Sequence, residues 1–260
     1  MTKKEIIEKL RDDEHYYGEF GRQYLSQSDV GTLINNPEDF GKKIKNNINF
    51  VLGGYFHTCI LEPEKLDKFK IIKSSSRNTK MYKELSGGEI CMLEKESEMV
   101  LLMKEKVEEN DYIRSMITGK NVEYEVPNLT DINGYTFKGK ADVLNHNEKL
   151  IIDLKTTSKP LDKFKWSAKD FYYNAQAYIY SKMFNYEFIF IVVKKPSTVE
   201  MQDAENIKDL KSKIKLGVFD CSDLFLSDGK YNVEEALDNY KLHRETPNFK
   251  PNNFFTTQTL

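Results

Sequence analysis

Cysteine is scarce in this sequence. The chain of 260 residues contains only Cys59, Cys91 and Cys221, which are far apart and form no Cys-x-x-Cys pair. Zinc ribbons and iron–sulfur clusters need closely spaced cysteines, so the sequence argues against both. We therefore predict three reduced thiols, buried as small apolar groups.

Long apolar runs are also missing. No run approaches the ~18 residues that a membrane-spanning helix needs. The first eight residues, Met-Thr-Lys-Lys-Glu-Ile-Ile-Glu, lack the apolar core of a signal peptide. We therefore expect a soluble, cytoplasmic protein with no membrane partner.

An excess of charge of one sign is absent as well. The 39 basic residues face 41 acidic ones, which gives a formal net charge of −2. The chain as a whole thus carries no electrostatic signature of a nucleic-acid partner, and any basic surface must be local.

The composition that remains is that of a globular protein, with 39% hydrophobic and 31% charged residues. A chain of this length suits one large domain better than two. We predict a single domain over residues 1–260, with a mostly helical part (1–120), a core sheet (121–195) and a C-terminal helical part (196–260). Residues 254–260 look like a tail that could dock on a partner.

Hydrophobic periodicity and helix-start signals predict most of the helices. Residues 73–88, rich in Ser, Asn and Gly, are predicted to be an exposed loop. The predicted helices cover residues 2–17, 26–36, 48–61, 92–118, 168–184, 203–215 and 232–244.

The hydrophobic period changes to that of strands after residue 121. Residues 122–126 alternate strictly, and Asn133-Gly134 is a hairpin signal that leads into a second strand at 135–144. The more apolar residues 150–155 predict a central strand. With further strands at 188–193 and 218–221, this order predicts an α/β fold with a central mixed β-sheet flanked by helices.

Two carboxylates and a lysine lie on the predicted central strands. Asp153 and Lys155 are two residues apart, so their side chains share one face of a strand, and Asp142 lies on the preceding strand. Two converging carboxylates can hold a hard divalent cation such as Mg²⁺. A neighbouring lysine can then orient a metal-bound water or neutralise a phosphoryl oxygen, which is the equipment for phosphodiester hydrolysis.

A solvated Asp-x-Lys pair is the plainer alternative for Asp153 and Lys155. The pair, however, interrupts the apolar run of residues 150–154. A charged pair in a central strand is costly unless it binds something. This context favours a site.

Five ordered segments of the chain resemble a known family. They are Ser-Gln-Ser-Asp at 26–29 followed by Asn-Pro-Glu-Asp-Phe at 36–40, Leu-Gly-Gly-Tyr-Phe-His-Thr-Cys-Ile-Leu-Glu-Pro at 52–63, Gly-Lys-Ala-Asp at 139–142, Ile-Asp-Leu-Lys-Thr-Thr at 152–157, and Tyr-Asn-Ala-Gln-Ala-Tyr-Ile-Tyr at 173–180. Over roughly residues 24–195 the chain is similar to the PD-(D/E)XK nucleases, and within them to phage and prophage exonucleases of the exonuclease VIII (RecE) type.

The resemblance implies a role for each matching residue. His57 would be a metal ligand, against the plainer alternative of a histidine satisfied in the core. Asp142 and Asp153 would bridge the metal, the carbonyl of Leu154 would complete its shell, and Lys155 would be the catalytic lysine. The implied cofactor is Mg²⁺ or Mn²⁺, as two ions.

Three further side chains follow from the same resemblance. One acidic residue of the first strand usually belongs to such a site, and Glu123 and Glu125 are both candidates, with Glu125 slightly favoured. Gln176 and Tyr180 are four residues apart on one helix, so they share a face. They would lie near the site, contacting DNA or the lysine, unless this is an ordinary half-buried aromatic helix.

The implied activity is a 5′→3′ exonuclease acting on double-stranded DNA ends in phage-type recombination. The implied partners are a single-strand annealing protein and further copies of the chain in a ring of three or four, in a bacterial host. Another PD-(D/E)XK activity, structure-specific or single-strand, is one alternative. A non-catalytic DNA-binding module on the same fold is another, although intact Asp142, Asp153 and Lys155 argue against it.

Local charge agrees with a DNA partner. Residues 138–169 hold eight lysines against four acidic residues, a net charge of +4. These lysines suit phosphate contacts, Trp166 with Phe164 could stack on a frayed base, and the loop at 74–80 is another candidate, although a solvated surface remains the alternative. The lysines are Lys138, Lys140, Lys149, Lys155, Lys159, Lys163, Lys165 and Lys169.

Overall fold

The structure is a computed structural model, and it describes residues 1–42 and 46–246. The predicted tail at 254–260 lies outside the described residues. The helices are α1 (Lys3–Lys9), α2 (Asp13–Tyr17), α3 (Gln27–Asn35), α4 (Ile48–Leu61), α5 (Lys80–Ser86), α6 (Glu94–Glu108), α7 (Asp111–Ile117), α8 (Phe164–Asp170), α9 (Tyr173–Phe184), α10 (Thr198–Asp203), α11 (Ile207–Lys213) and α12 (Asp223–Tyr240). The strands are β1 (Ile71–Ile72), β2 (Met92–Leu93), β3 (Val122–Ile132), β4 (Tyr135–Asn145), β5 (Leu150–Thr157), β6 (Glu187–Lys194) and β7 (Lys215–Asp220).

Five strands form one mixed sheet in the order β3-β4-β5-β6-β7. Neighbouring strands are antiparallel except for β5 and β6, which are parallel because α8 and α9 make the crossover between them. The β3–β4 hairpin turns at Asn133 and Gly134, both with positive φ, as a tight hairpin requires. The predicted α/β class with a central mixed sheet is confirmed.

Each face of the sheet carries its own core. On one face Ile151 and Phe190 pack with α3, α9 and α12. On the other face Ile152 and Leu154 pack with α4, α6 and α7. Strand β5 is therefore covered on both sides, which explains its continuous apolar run and its central place in the sheet.

The strongest sequence signals predicted element bounds well. The helix at residues 48–61 and the start of α3 after its cap Ser26 are confirmed, and α4 ends where Glu62-Pro63 begins a 3-10 turn. Cys59 and Cys91 are buried, Cys221 is half-buried, and all three are free thiols. Across residues 1–42 and 46–246, every helix is too short or too polar to span a bilayer.

Several predicted elements were wrong in extent because caps and turns were overlooked. The predicted loop at 73–88 contains α5, which Thr79 caps and which ends at Gly87 with φ 61°. The predicted helix at 2–17 is two helices, since Asp12 caps a new start. The predicted helices at 92–118, 168–184 and 203–215 are likewise each divided or displaced, and α12 begins at Asp223 after its cap Ser222.

Candidate active site

The site forms where β4 and β5 separate. The β4–β5 ladder pairs Val143 with Ile152 and goes no further toward Asp142 and Asp153. Beyond its end, the backbone N–H of Leu154 donates to Asp142 Oδ2 at 2.8 Å. The carboxylate thus takes the place of a strand partner, and this contact ties Asp142 to β5.

His57 reaches the same point from α4. Its Nε2 lies 2.7 Å from the carbonyl oxygen of Leu154, and its Nδ1 lies 3.4 Å from Asp142 Oδ2. A carbonyl only accepts, so Nε2 carries the proton and Nδ1 turns a lone pair toward Asp142. Burial also lowers the pKa of His57, which keeps the ring neutral. A lone pair that faces a carboxylate oxygen is an arrangement that a cation satisfies.

Glu125 completes a cluster of possible metal ligands. Ligand atoms of His57, Glu125 and Asp142 all lie within 4.8 Å of one another. Pairing of Tyr124 with Val143 and of Val126 with Ala141 sets Glu125 opposite Asp142 across the β3–β4 ladder. Glu125 has a left-handed backbone with φ 49°, which is a strained conformation of the kind found at functional sites.

Glu123 lies outside this cluster. Its Oε1 is 2.8 Å from Nε2 of His146, and its side chain is half exposed. The left-handed backbone at Glu125 breaks the alternation of side chains along β3. Glu123 and Glu125 are two residues apart, but their side chains therefore do not reach the same site. Of the two acidic candidates, the structure brings only Glu125 to Asp142.

Asp153 lies beside the cluster on the α9 face of β5. Only 3% of the residue is exposed. Gln176 Nε2 donates to its Oδ1, and Lys155 Nζ lies 2.7 Å from its Oδ2. The shared strand face of Asp153 and Lys155 is therefore as expected, and Gln176 contacts the carboxylate rather than the lysine. The metal-ligand role of Asp153 stays a prediction.

Lys155 is held between a carboxylate and an aromatic ring. Its Nζ lies 4.6 Å from the ring centre of Tyr173. Burial alone would lower the pKa of Lys155, but Asp153, Tyr173 and Asp142 outweigh it, and the net shift is upward. The lysine is thus a fixed cation at the site, suited to charge neutralisation.

Tyr180 acts on the backbone of β4. Its hydroxyl accepts from the N–H of Lys140 at 3.1 Å and donates to the carbonyl of Lys140 at 3.3 Å. A Cβ on Gly139 would lie 2.6 Å from Tyr180 Cε1. Gly139 therefore makes room for the Tyr180 ring, which links the Gly-x-x-Asp segment to the Gln-x-x-x-Tyr segment.

Replacing Gly139 by alanine is expected to lower the free energy of unfolding by about 1–3 kcal/mol, because the new methyl group overlaps the Tyr180 ring. Urea unfolding measures the change. Gly53→Ala is the matched control, since its Cβ meets nothing closer than Thr156 Oγ1 at 4.0 Å. Equal losses in the two variants would contradict the packing account.

Burial disfavours the ionised form of both carboxyl groups in the metal-free cluster. Burial, reinforced by Asp142, raises the pKa of Glu125 to about 7. Burial, reinforced by Asp153, raises the pKa of Asp142 to about 8. Two carboxylates, an imidazole lone pair and a nearby carbonyl fit a divalent cation, which would offset this cost. The donor set of this chain therefore fits the predicted metal.

The cluster opens into a cleft with two arms. One arm, of about 700 Å³, runs past the end of β5 and α8. The other, of about 1200 Å³, runs along α3 and the turns before it. Both arms are lined by His57, Glu125, Lys140 and Lys155, so they meet at the site.

Two expectations about DNA contacts were wrong. Phe164 is 4% exposed and lies in the core, so it cannot stack on a base, whereas Trp166 is 57% exposed. Lys138 is buried beneath α2 and does not face solvent, and Lys140 lies at the wall of the cleft, where it contacts Asp13 and Glu125. The lysines of that segment that remain exposed are Lys149, Lys159, Lys163, Lys165 and Lys169.

Sequence reasoning missed two charged neighbours of the cluster. Lys140 Nζ lies 3.3 Å from Glu125 Oε2 and 2.6 Å from Asp13 Oδ1. One sequence signal could have placed Lys140 near the cluster. It lies two residues before Asp142, in a segment that was already assigned to the site. Asp13 carried none, because it lies on α2, more than a hundred residues away along the chain.

Comparison with known proteins places this fold. No curated protein matched the chain. A provisionally named exonuclease from Eubacterium rectale has a similar structure, with a TM-score of 0.61 and 14% identity over 88% of this chain and 85% of that chain. A phage related exonuclease from Haemophilus somnus 129PT is also 14% identical, over 84% of this chain and 93% of that chain, with a lower TM-score of 0.39. A family model described as "PDDEXK-like domain of unknown function (DUF3799)" matches residues 34–242, which confirms the predicted PD-(D/E)XK superfamily, and the chain belongs to this family.

Proposed function

We propose that this protein is a divalent-metal-dependent exonuclease that hydrolyses linear double-stranded DNA from its ends. The observation that carries the proposal is the cluster of His57, Glu125 and Asp142 beside the Asp153–Lys155 pair. It lies in a PDDEXK-like fold, at the meeting point of two cleft arms.

Each residue has a distinct task in this proposal. His57, Glu125 and Asp142 hold Mg²⁺ or Mn²⁺, with the Leu154 carbonyl and Asp153 adjacent. A bound ion of this kind lowers the pKa of water and polarises the phosphate. Lys155 stabilises the negative charge that develops on the phosphoryl oxygens in the transition state.

Two neighbours hold this machinery in place. Gln176 holds Asp153 through its amide, so that Asp153 keeps Lys155 in position. Tyr180 brackets the backbone of Lys140, two residues before Asp142. Both are positioning residues, since neither reaches the space between His57 and Asp142 by a contact that the structure shows.

An aromatic path into the smaller arm fits a DNA strand. Phe171 is 58% exposed and stacks on Tyr173, with ring centres 5.7 Å apart. Tyr173 in turn contacts Lys155. Bases stack on exposed aromatic rings without regard to sequence, and lysines hold the backbone. Lys159 and Lys195 line the same arm, so a frayed strand end would be guided toward Lys155.

The finer points of the proposal rest on resemblance. The similar structure from Eubacterium rectale is named as an exonuclease, which supports end-directed cleavage. A 5′→3′ direction, a role in phage-type recombination with a single-strand annealing protein, and a ring of three or four copies are proposed on the motifs alone. On the same motifs we propose that the protein acts in the bacterial cytoplasm.

Incubating the protein with end-labelled linear duplex DNA and with closed circular DNA tests the proposal. We expect mononucleotide release from the linear duplex only, with Mg²⁺ and not with EDTA. Asp153→Asn is expected to lower this rate by about 10³-fold, because Lys155 loses its ionised partner and the site loses a carboxylate.

Each other outcome has a definite meaning. Cleavage of closed circles would replace the exonuclease proposal with an endonuclease, and a preference for single strands or branched ends would favour the structure-specific alternative. Binding of DNA without any hydrolysis would favour the non-catalytic module. Full activity of Asp153→Asn would overturn the assignment of the site.

A further inference from the structure

We propose that Lys140 is a built-in cation of the metal centre, and that it limits the chain by itself to one divalent ion in place of two. The inference rests on the proposed metal-dependent function. It concerns how many ions the chain holds before DNA binds, which the nuclease assay does not measure.

Lys140 occupies a position that a second cation would need. Its side chain is only 7% exposed, and its ammonium group contacts Glu125 Oε2 at 3.3 Å. The rings of Tyr16 and Tyr17 lie 4.9 and 5.3 Å from the same nitrogen. Contacts with two rings and two carboxylates hold the ammonium group beside Glu125, so it competes with a cation for that carboxylate.

The other carboxylate available to a second ion is already engaged. Asp153 Oδ1 accepts from Gln176, and Asp153 Oδ2 faces Lys155 at 2.7 Å. The ligand atoms that converge are therefore those of His57, Asp142 and Glu125. Two-metal sites hold their ions about 3.5–4 Å apart, and here a lysine contacts one oxygen each of Glu125 and Asp153.

The charge balance of the centre also favours one divalent ion. Four carboxylates, Asp13, Glu125, Asp142 and Asp153, face two ammonium groups, Lys140 and Lys155. The Nε2–H of His57 donates to the Leu154 carbonyl, which leaves Nδ1 as an acceptor and adds no charge. The net charge of the ionised centre is then −2, which one divalent cation neutralises. Lys65 also lies near Asp13, but it pairs with Glu62 and adds no net charge.

Asp13 makes this arrangement dependent on the N-terminal helices. It lies on α2, before the part of the chain that the family model matches, and it contacts Lys140 at 2.6 Å. Lys138, the next lysine along β4, anchors the same helix by donating to the carbonyl of Tyr16. Helix α2 therefore supplies the counter-charge that holds Lys140 over Glu125.

Titration of the full-length protein with Mn²⁺ alone, without DNA, tests the inference by electron paramagnetic resonance and calorimetry. We expect one tightly bound Mn²⁺ per chain. Lys140→Met is expected to bind a second Mn²⁺ and to hold the first about tenfold more tightly, because removing one positive charge leaves the centre at −3.

Two further variants separate charge from structural damage. Lys163→Met removes an exposed lysine that contacts Asp162 rather than the cluster, so it should keep one Mn²⁺ with unchanged affinity. Asp13→Asn should still bind one Mn²⁺, but about three- to tenfold more weakly. A disrupted fold would weaken binding in every variant, whereas the inference requires Lys140→Met and Asp13→Asn to shift in opposite directions.

The outcomes distinguish this inference from the proposed function. Two tight Mn²⁺ ions in the unmodified protein, or no change in Lys140→Met, would overturn the role of Lys140 even if the protein is a fully active nuclease. One bound Mn²⁺ with no hydrolysis of any DNA would leave Lys140 in place and overturn the nuclease. Absence of any Mn²⁺ binding would overturn both.

Discussion

Asp142→Asn is expected to lower the rate of Mg²⁺-dependent DNA hydrolysis by about 10³-fold or more, while making the metal-free protein more stable above pH 8. The loss follows because asparagine removes a charged ligand atom from the cluster with His57 and Glu125. Metal stabilisation of the reacting phosphate contributes several kcal/mol, and each 1.4 kcal/mol is about a tenfold change in rate.

The gain in stability follows from the direction of the Asp142 pKa. Burial, with Asp153 nearby, raises that pKa from 3.8 to about 8 in the folded protein. The carboxyl group therefore contributes its full stability below about pH 4, and this contribution is lost as the pH rises through about 8. The asparagine side chain carries no charge and can still accept from the Leu154 N–H through its oxygen.

Thermal unfolding in EDTA at pH 5 and pH 8.5, with nuclease assays alongside, measures both effects. We expect the midpoint of Asp142→Asn to exceed that of the unmodified protein by several degrees at pH 8.5 and by little at pH 5. Mg²⁺ should raise the midpoint of the unmodified protein and not that of the variant. Asp162→Asn, an exposed acidic position on the surface, is the control for both. A variant that is less stable than the unmodified protein at pH 8.5 would contradict the buried-charge account.

The sheet could be predicted from the sequence because its signals are local. Alternation in residues 122–126, the Asn133-Gly134 turn and the apolar run before Asp153 each report on neighbours within a few positions. Helices whose ends are marked only by capping residues were not predicted. One example is α5, which begins after Thr79 and ends at Gly87. The break at Tyr172, with φ 54°, was also invisible, since aromatic residues there continue the helical pattern on both sides.

The sequence motifs predicted which residues belong to the site, but not which of their atoms contact one another. Asp142, Asp153, Lys155 and Gln176 come together as their strand and helix positions require. Which atoms meet depends on where β4 leaves β5 and on one left-handed residue, and neither has a sequence signature. The contact of Asp13 with Lys140 is a long-range pairing between segments that no short-range pattern relates.

Glu125→Gln is expected to lower the rate of Mg²⁺-dependent DNA hydrolysis by about 10²-fold or more. The substitution keeps the size of the side chain and removes the charge that faces Asp142 and Lys140. Lys140 then loses its carboxylate partner in the cluster, and the metal loses a ligand oxygen. Single-turnover rates at saturating DNA, measured over a range of Mg²⁺ concentrations, separate weaker metal binding from slower hydrolysis.

Glu123→Gln is the matched control, since it changes the same residue type two positions earlier on the same strand. Glu123 contacts His146 and is half exposed, so its loss should change the rate by no more than about twofold. Regular alternation in β3 would put both glutamates on one face of the sheet, but Glu123 pairs with Leu144, two positions from Asp142, and the left-handed backbone at Glu125 breaks the alternation. A large loss in Glu123→Gln with a small one in Glu125→Gln would therefore reverse the assignment and show that β3 runs past the site in a regular conformation.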